Sequence, residues 1–227
     1  MMEHMKSSIE SEWQATDLGE PSKIIGIEIT RMPEYLKISQ GKYIDNLLRK
    51  EKMAEANPVG MPLDPNVKIG PNPEHNEPNR SNSYAKLLGE LQYVANATRP
   101  DISYAVNKLA SYTANPSLEH YGSLKRILRY LAGTKDYGIT YRKPIGQNNE
   151  ANLFHGHARN YGPGNYGENN LFHGFADAAF ANTDDYKSTT GYVFLASEGA
   201  ITWKSKKQTI IAMSSTESEY VVLSEAG

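Results

Sequence analysis

The chain has 227 residues, of which 39% are hydrophobic and 22% charged, so it is long enough for one large domain or two small ones with real cores. Its formal net charge of -2 gives no overall attraction to nucleic acid or to an anionic membrane, so any such partner has to meet a local basic surface. The absence of cysteine excludes disulfides, thiolate nucleophiles and cysteine-based zinc sites.

The N-terminal stretch MMEHMKSSIESEWQ lacks the apolar region of a signal peptide. No segment of the chain approaches the roughly 18 consecutive apolar residues of a transmembrane helix. We therefore expect a cytoplasmic or nuclear protein that is not secreted and has no membrane partner.

A β-hairpin is predicted for residues 23–38, because KIIGIEIT and YLKI flank the turn Met32-Pro33-Glu34. Ser39 is then expected to cap a helix. The apolar positions of that helix recur at helical spacing: Tyr43, Ile44, Leu47 and Leu48.

Residues 57–82 carry six prolines among Asn, Asp and Glu, which predicts an extended connector rather than a helix or a central strand. Two helices are expected after it, one from Ser83 and one from about Pro100 to Thr113. Thr98 and Asp101 have the spacing of a capping box for the second of these helices, and a proline is tolerated in a first turn.

A third helix is predicted to begin near Ser117 and to end at Gly133 in a left-handed C-cap. Its expected buried positions are Leu118, Tyr121, Leu124, Leu128 and Leu131. The opposite face carries three basic residues, which taken alone are typical of a solvated helix surface. They are Lys125, Arg126 and Arg129.

Residues 144–170 are rich in Asn and Gly, which predicts a loop between domains. NLFHGHA at 152–158 and NLFHGFA at 170–176 are nearly identical, which indicates a short tandem duplication. Metal binding by His155, His157 and His173 is an alternative explanation, but the repetition accounts for these histidines better.

The C-terminal part predicts three antiparallel strands in FADAAFA, GYVFLA and AITWKSK, followed by a helix after Thr216. The fold class is therefore α+β: an N-terminal hairpin with a mostly helical region, then a β-sheet with the start of a helix.

Two acidic residues stand out as candidates for chemistry. Asp177 lies in an apolar strand, where Asp is depleted, and Glu219 lies in the first turn of the terminal helix. Carboxylates on neighbouring elements can share Mg²⁺, but a two-metal site for phosphodiester hydrolysis needs more than two of them. As alternatives, Glu219 belongs to a capping box with Thr216, and Asp177 is a strand-end residue bonded to a turn.

Several stretches of the chain, in order and at matching spacing, resemble the Pol polyproteins of copia-type LTR retrotransposons. They are TRPDISYAVNKLASYTANPS, LKRILRYLAGTKDYG, DDYKSTTGYVFL, ITWKSKKQ and SSTESEY, preceded by GIEI, LKISQGKYIDNLL and MPLDPNVKI. The resemblance covers nearly the whole chain except residues 144–170.

The resemblance implies that residues 1–143 are the thumb and connection of a reverse transcriptase and that 171–227 are a truncated ribonuclease H domain. By position, Asp177 and Glu219 match metal-binding and catalytic carboxylates of that domain. The motif around Asp177 is altered, with Ala179, Phe180 and Asn182 at positions that carry an acidic residue, Trp and Gly in the family. We expect the other carboxylates beyond Gly227, and no Tyr-x-Asp-Asp motif of the polymerase is found.

We therefore expect a Pol fragment that is catalytically inactive and holds no Mg²⁺ stably, although the parent family uses Mg²⁺. The resemblance makes Lys125, Arg126 and Arg129 the residues expected to contact the phosphates of an RNA:DNA hybrid. One alternative is a hybrid nuclease completed by a carboxylate of a partner chain, with Asp184 and Asp185 as weaker substitutes. Another is a domesticated module that binds other Pol or host proteins. Whether the chain is an enzyme stays open at this point.

Overall fold

The computed structural model describes residues 2–13, 15–16, 18–67, 69–73, 78–142 and 172–227. These residues form helices and two antiparallel sheets, which confirms the α+β class. The duplicated loop at 144–170, with His155 and His157, lies outside the described residues.

The first sheet has four antiparallel strands in the order β1-β2-β3-β4. They are β1 (Lys23–Ile24), β2 (Ile27–Arg31), β3 (Tyr35–Ser39) and β4 (Gly138–Arg142). The predicted hairpin is confirmed in β2 and β3. Its first arm is divided, because Ile25 and Gly26 have positive φ and turn the chain between β1 and β2. Strand β4 was not predicted.

Several helices precede the second sheet, and all of them except the first pack around one apolar core. They are α1 (Met2–Trp13), α2 (Gly41–Lys50), α3 (Pro78–Ala97), α4 (Ser103–Ala110) and α5 (Leu118–Gly133), with a 3₁₀ turn at Pro100–Ile102. Helix α1 was not predicted, and α3 begins at Pro78, five positions before Ser83.

Leucine and other apolar side chains of α2 to α5 meet in this core. Leu124, Leu128 and Leu131 are buried as predicted, whereas Leu118 is 71% exposed at the first position of α5. Tyr121 is half-buried and packs against the cluster. The other fully buried side chains of the cluster include Ile44, Tyr84, Leu87, Leu91, Ile102, Leu109 and Ile127.

Two of the predicted helix caps are wrong, one because a strand extends through the residue and one because the side chain has another partner. Ser39 is the last residue of β3, and the N-cap of α2 is Gln40, which makes no side-chain capping bond. The Thr98 hydroxyl donates to Oε1 of Gln40 at 2.8 Å, so it does not cap the turn that begins at Pro100. Both side chains are buried, and their bond ties the start of α2 to the end of α3.

The predicted start of α5 near Ser117 is confirmed, and the predicted left-handed cap at its end is wrong. Ser117 Oγ accepts a hydrogen bond from the backbone N–H of His120 at 3.2 Å. Gly133 is the last helical residue and has no positive φ. Its lack of a side chain serves close packing instead, because a Cβ there would lie 2.8 Å from Cβ of Pro58.

The second sheet has three antiparallel strands in the order β5-β6-β7 and is followed by α6, as predicted. The elements are β5 (Phe172–Ala179), β6 (Thr189–Ala196), β7 (Gly199–Lys207) and α6 (Ser215–Ala226). Helix α6 packs on this sheet, and β7 contacts α4 and β4.

No helix in the part of the chain that the structure describes is long and apolar enough to cross a membrane.

Candidate metal and nucleic-acid sites

Asp177 lies well inside β5, where it pairs with Gly191 of the neighbouring strand. Its side chain is exposed, so this Asp in an apolar sequence is not buried and needs no compensating partner. The alternative that Asp177 is a strand-end residue bonded to a turn is therefore wrong.

Glu219 reaches β5 from the first half of α6. Its Oε1 accepts a hydrogen bond from the backbone N–H of Ala178 at 3.3 Å. Capping of α6 is done by other residues, since Ser214 Oγ accepts from the N–H of Glu217 at 3.1 Å. The capping box of Thr216 with Glu219 is therefore wrong, and the carboxylate of Glu219 is placed beside the residue that follows Asp177.

Asp177 and the helix that carries Glu219 lie on opposite faces of the second sheet. Successive side chains of a strand point to opposite faces, so Asp177 and Ala178 lie on opposite faces of the sheet. Helix α6 packs on the face of Ala178, because Lys206 on that face pairs with Glu225 at 3.1 Å. Glu219 therefore contacts the backbone of β5 at Ala178, while the Asp177 side chain lies on the face opposite α6.

Asp177 and Glu219 are an incomplete set of ligands for a shared Mg²⁺. The described residues bring together no group of three or more His, Asp or Glu side chains that could hold a metal. Carboxylate oxygens are suitable ligands for Mg²⁺, but two of them leave most of its coordination to water or substrate. The donor set of Asp177 and Glu219 thus fits only part of a two-metal site. Of the histidines considered as ligands, the described one, His173, packs edge-on against Phe175.

The proposed substitutes Asp184 and Asp185 already have partners. The Tyr112 hydroxyl lies 3.0 Å from Oδ2 of Asp184. A hydrogen bond from Thr183, and then one from Lys207 at 2.9 Å, lower the pKa of Asp185 to about 2. These carboxylates lie in a turn, as expected, and they hold that turn in place.

Two of the three basic residues of α5 bind the proline-rich connector. Arg126 pairs with Asp64 at 3.2 Å, and Nε of Arg129 donates to the carbonyl oxygen of Asn57 at 2.7 Å. Lys125 is exposed and lies 5.4 Å from the centre of the Tyr121 ring. Contact of this face with phosphate stays a prediction, and Lys125 is the residue of the three that projects into solvent.

Sequence reasoning missed an ion pair just after α3, between the buried Arg99 and the partly exposed Asp101. Arg99 is 1% exposed, and its guanidinium donates to both carboxylate oxygens of Asp101, at 2.9 and 2.7 Å. It also donates to the carbonyl oxygen of Thr134 at 2.8 Å. Burial alone would raise the pKa of Asp101, but the hydrogen bonds and charge of Arg99 hold it below its usual value. The Arg-x-Asp sequence at 99–101, between two predicted helices, is the feature from which this ion pair could have been predicted.

The chain is similar in sequence to transposon polyproteins of plants. It is 35% identical over 221 residues to the Retrovirus-related Pol polyprotein from transposon RE2 of Arabidopsis thaliana, covering 97% of this chain and 14% of that protein. It is 33% identical over 231 residues to the Retrovirus-related Pol polyprotein from transposon TNT 1-94 of Nicotiana tabacum, covering 98% of this chain and 16% of that protein.

A shorter relative is an uncharacterized mitochondrial protein of Arabidopsis thaliana. It is 31% identical over 216 residues, which cover 95% of this chain and 79% of that protein. No protein-family model matches the chain, and no solved structure matches it. The chain therefore spans less than a fifth of the two polyproteins but most of this shorter relative.

Proposed function

Because the chain belongs to the family of copia-type LTR retrotransposon Pol polyproteins, we propose that it covers the end of the reverse transcriptase and part of the ribonuclease H domain. Residues 1–143 are assigned to the thumb and connection, 144–170 to a connecting loop, and 171–227 to ribonuclease H. The order of a hairpin, a helical core and a separate antiparallel sheet with one helix supports this division.

The hydrogen bond between Glu219 and the backbone of Ala178 is the observation that carries the ribonuclease H assignment. It places the Glu of the terminal helix next to the strand that carries Asp177, and these are the two positions that the resemblance identifies as acidic ligands. When bound, Mg²⁺ would supply charge stabilisation to a phosphodiester in the parent domain. Asp177 and Glu219 would hold it there, with further carboxylates from elsewhere.

We propose that this chain alone does not hydrolyse RNA, because two carboxylates cannot hold two metal ions together with substrate and water. The remaining ligands would have to come from another part of the polyprotein or from a second chain. The protein's compartment, cytoplasmic or nuclear, stays a prediction.

A cleavage assay tests this proposal. The purified chain and its Asp177→Asn variant are incubated with an RNA:DNA hybrid, labelled in the RNA strand, in the presence of Mg²⁺. We expect equal rates for both proteins at the level of the buffer blank. Mg²⁺-dependent cleavage by the unaltered chain that the variant lacks would contradict the proposal and favour a nuclease completed by a partner chain.

A further inference from the structure

We propose that residues 172–227 bind the preceding part of the chain through a specific non-covalent interface, and that they stay bound after the peptide connection is cut. Three contact points of this interface carry the argument, at Trp203, at Gly199 and at Asp184. It does not depend on the assignment to reverse transcriptase and ribonuclease H.

Trp203 of β7 donates a hydrogen bond to the C-terminal end of helix α3. Its indole Nε1 donates to the carbonyl oxygen of Ala95 at 2.9 Å. Ala95 lies in the last turn of α3, where the carbonyl groups have no N–H partner inside the helix. The second sheet thus provides a hydrogen bond that α3 cannot make for itself, and a partly buried Trp adds a large contact area.

Gly199, at the start of β7, permits close contact with β4. A Cβ at this position would overlap the Tyr141 ring and lie 2.9 Å from the carbonyl oxygen of Thr140. The φ of Gly199 is not positive, so close packing rather than backbone conformation requires the glycine. The Tyr141 hydroxyl donates to the carbonyl oxygen of Ala200 at 2.8 Å.

The third contact point lies at the turn between β5 and β6, where the Tyr112 hydroxyl is 3.0 Å from Asp184 Oδ2. The three contacts come from three different elements of the first part of the chain: the end of α3, the segment after α4, and β4. Three separated contact points fix the orientation of the second sheet, whereas a tether alone would leave it undetermined.

A covalent connection also raises the effective concentration of two parts of one chain, so contacts seen in the intact protein do not by themselves measure affinity. Cutting the connection removes that contribution. The decisive experiment therefore uses the full chain, folded first, with a protease recognition sequence placed within residues 143–171 and cut afterwards.

After cutting, we expect both pieces to elute together in size-exclusion chromatography at the mass of the uncut chain. The Gly199→Ala variant should separate into two pieces, because its Cβ overlaps Tyr141. Gly191→Ala is the matched control in the same sheet, since a Cβ there meets nothing closer than 3.8 Å. Its cut pieces should stay together.

Tryptophan fluorescence gives a second measurement. The chain has two Trp residues, and Trp13 is 75% exposed. In a Trp13→Phe background the emission of Trp203 should stay unchanged on cutting. Tyr141→Phe, which removes one hydroxyl, should weaken reassociation of the pieces by about fivefold to tenfold.

Separation of the unaltered pieces in native buffer, or a red shift of Trp203 emission on cutting, would overturn the proposal. Equal retention of the Gly199→Ala and Gly191→Ala pieces would also overturn it, because the contact at Tyr141 would then not hold the parts together.

Discussion

At the scale of single residues, Arg99 shows how one side chain can join three segments. It binds Asp101 through two parallel hydrogen bonds, and Thr134 after α5 through its backbone and hydroxyl oxygens. The guanidinium also lies 5.5 Å from the ring centres of Tyr130 and Tyr137. A planar, forked cation suits this arrangement, and a lysine ammonium does not.

Replacing Arg99 by Met should lower the free energy of unfolding by about 2 kcal/mol, because the Thr134 carbonyl loses its partner inside the fold, whereas the partly exposed Asp101 can be hydrated. Arg99→Lys should also destabilise the protein, since it keeps the charge but loses the paired hydrogen bonds. Urea unfolding measures both, as a lower midpoint with an unchanged slope.

The matched control is Arg49→Met on the exposed surface of α2, where a change within about 0.5 kcal/mol is expected. If Arg99→Met costs no more than this control, the hydrogen bonds of Arg99 do not stabilise the fold.

Predictions for single residues were correct where burial follows from spacing along a helix. They were wrong or missing where the role of a side chain depends on a partner that is distant in sequence. Apolar residues at helical spacing identified Leu124, Leu128 and Leu131 as core. The roles of Thr98 and Arg99 depend on Gln40 and Thr134, which lie far away in sequence. No local pattern contains that information.

At the scale of elements, α5 combines an apolar face in the core with a basic face that binds the connector. The sequence predicted an extended connector over residues 57–82. Its described residues 57–67 and 69–73 contain no helix or strand, but residues 78–82 belong to α3, so the prediction is wrong there. Its attachment to Arg126 and Arg129 was not predictable, because Asp64 and Asn57 look like ordinary residues of a polar loop. Variants of those two arginines would disturb the connector as well as any nucleic-acid contact.

A substitution of Lys125 therefore tests hybrid binding by α5 without disturbing the connector. If it contacts phosphate, Lys125→Ala should weaken binding to an RNA:DNA hybrid and reduce the slope of log affinity against log salt by about one. Fluorescence anisotropy at several salt concentrations measures this slope.

Lys86→Ala is the control with the same change in charge, because Lys86 is exposed on α3. An unchanged slope for Lys125→Ala, or an equal effect of Lys86→Ala, would remove α5 from the proposed contact surface.

At the scale of the whole molecule, His120 lies where the connector, the helical core and the second sheet come together. Its Nδ1 accepts from the N–H of Ser117 and its Nε2 lies 2.9 Å from the carbonyl oxygen of Gly70, so the ring is neutral with its proton on Nε2. It stacks on Tyr112, 4.3 Å between ring centres, and Tyr112 contacts Asp184.

We expect the free energy of unfolding to fall as the pH drops from about 7 towards 5, since an unfolded His takes up a proton near pH 6.5. Burial lowers the pKa of His120, outweighing the hydrogen bond to Gly70 and the negative charge of Glu119, so the folded state resists protonation. Urea unfolding at several pH values measures the effect.

His120→Gln should abolish this part of the pH dependence. Tyr112→Phe is the control, because it keeps the stacked ring and the titrating His120 while it removes only the hydroxyl. The same pH dependence in His120→Gln as in the unaltered chain would contradict the assignment.

The pairing of β3 with β4 has a consequence for how the chain folds. Lys37 of β3 donates to the carbonyl oxygen of Asp136, which lies 99 positions later and just before β4. Closing so long a loop costs entropy, which is offset by the packing of α2 to α5, the helices that separate the two strands in sequence. Until residues 138–142 have been synthesised, the β3 edge of the hairpin has no partner strand, so we expect this edge to be open to pairing with a wrong strand during that interval.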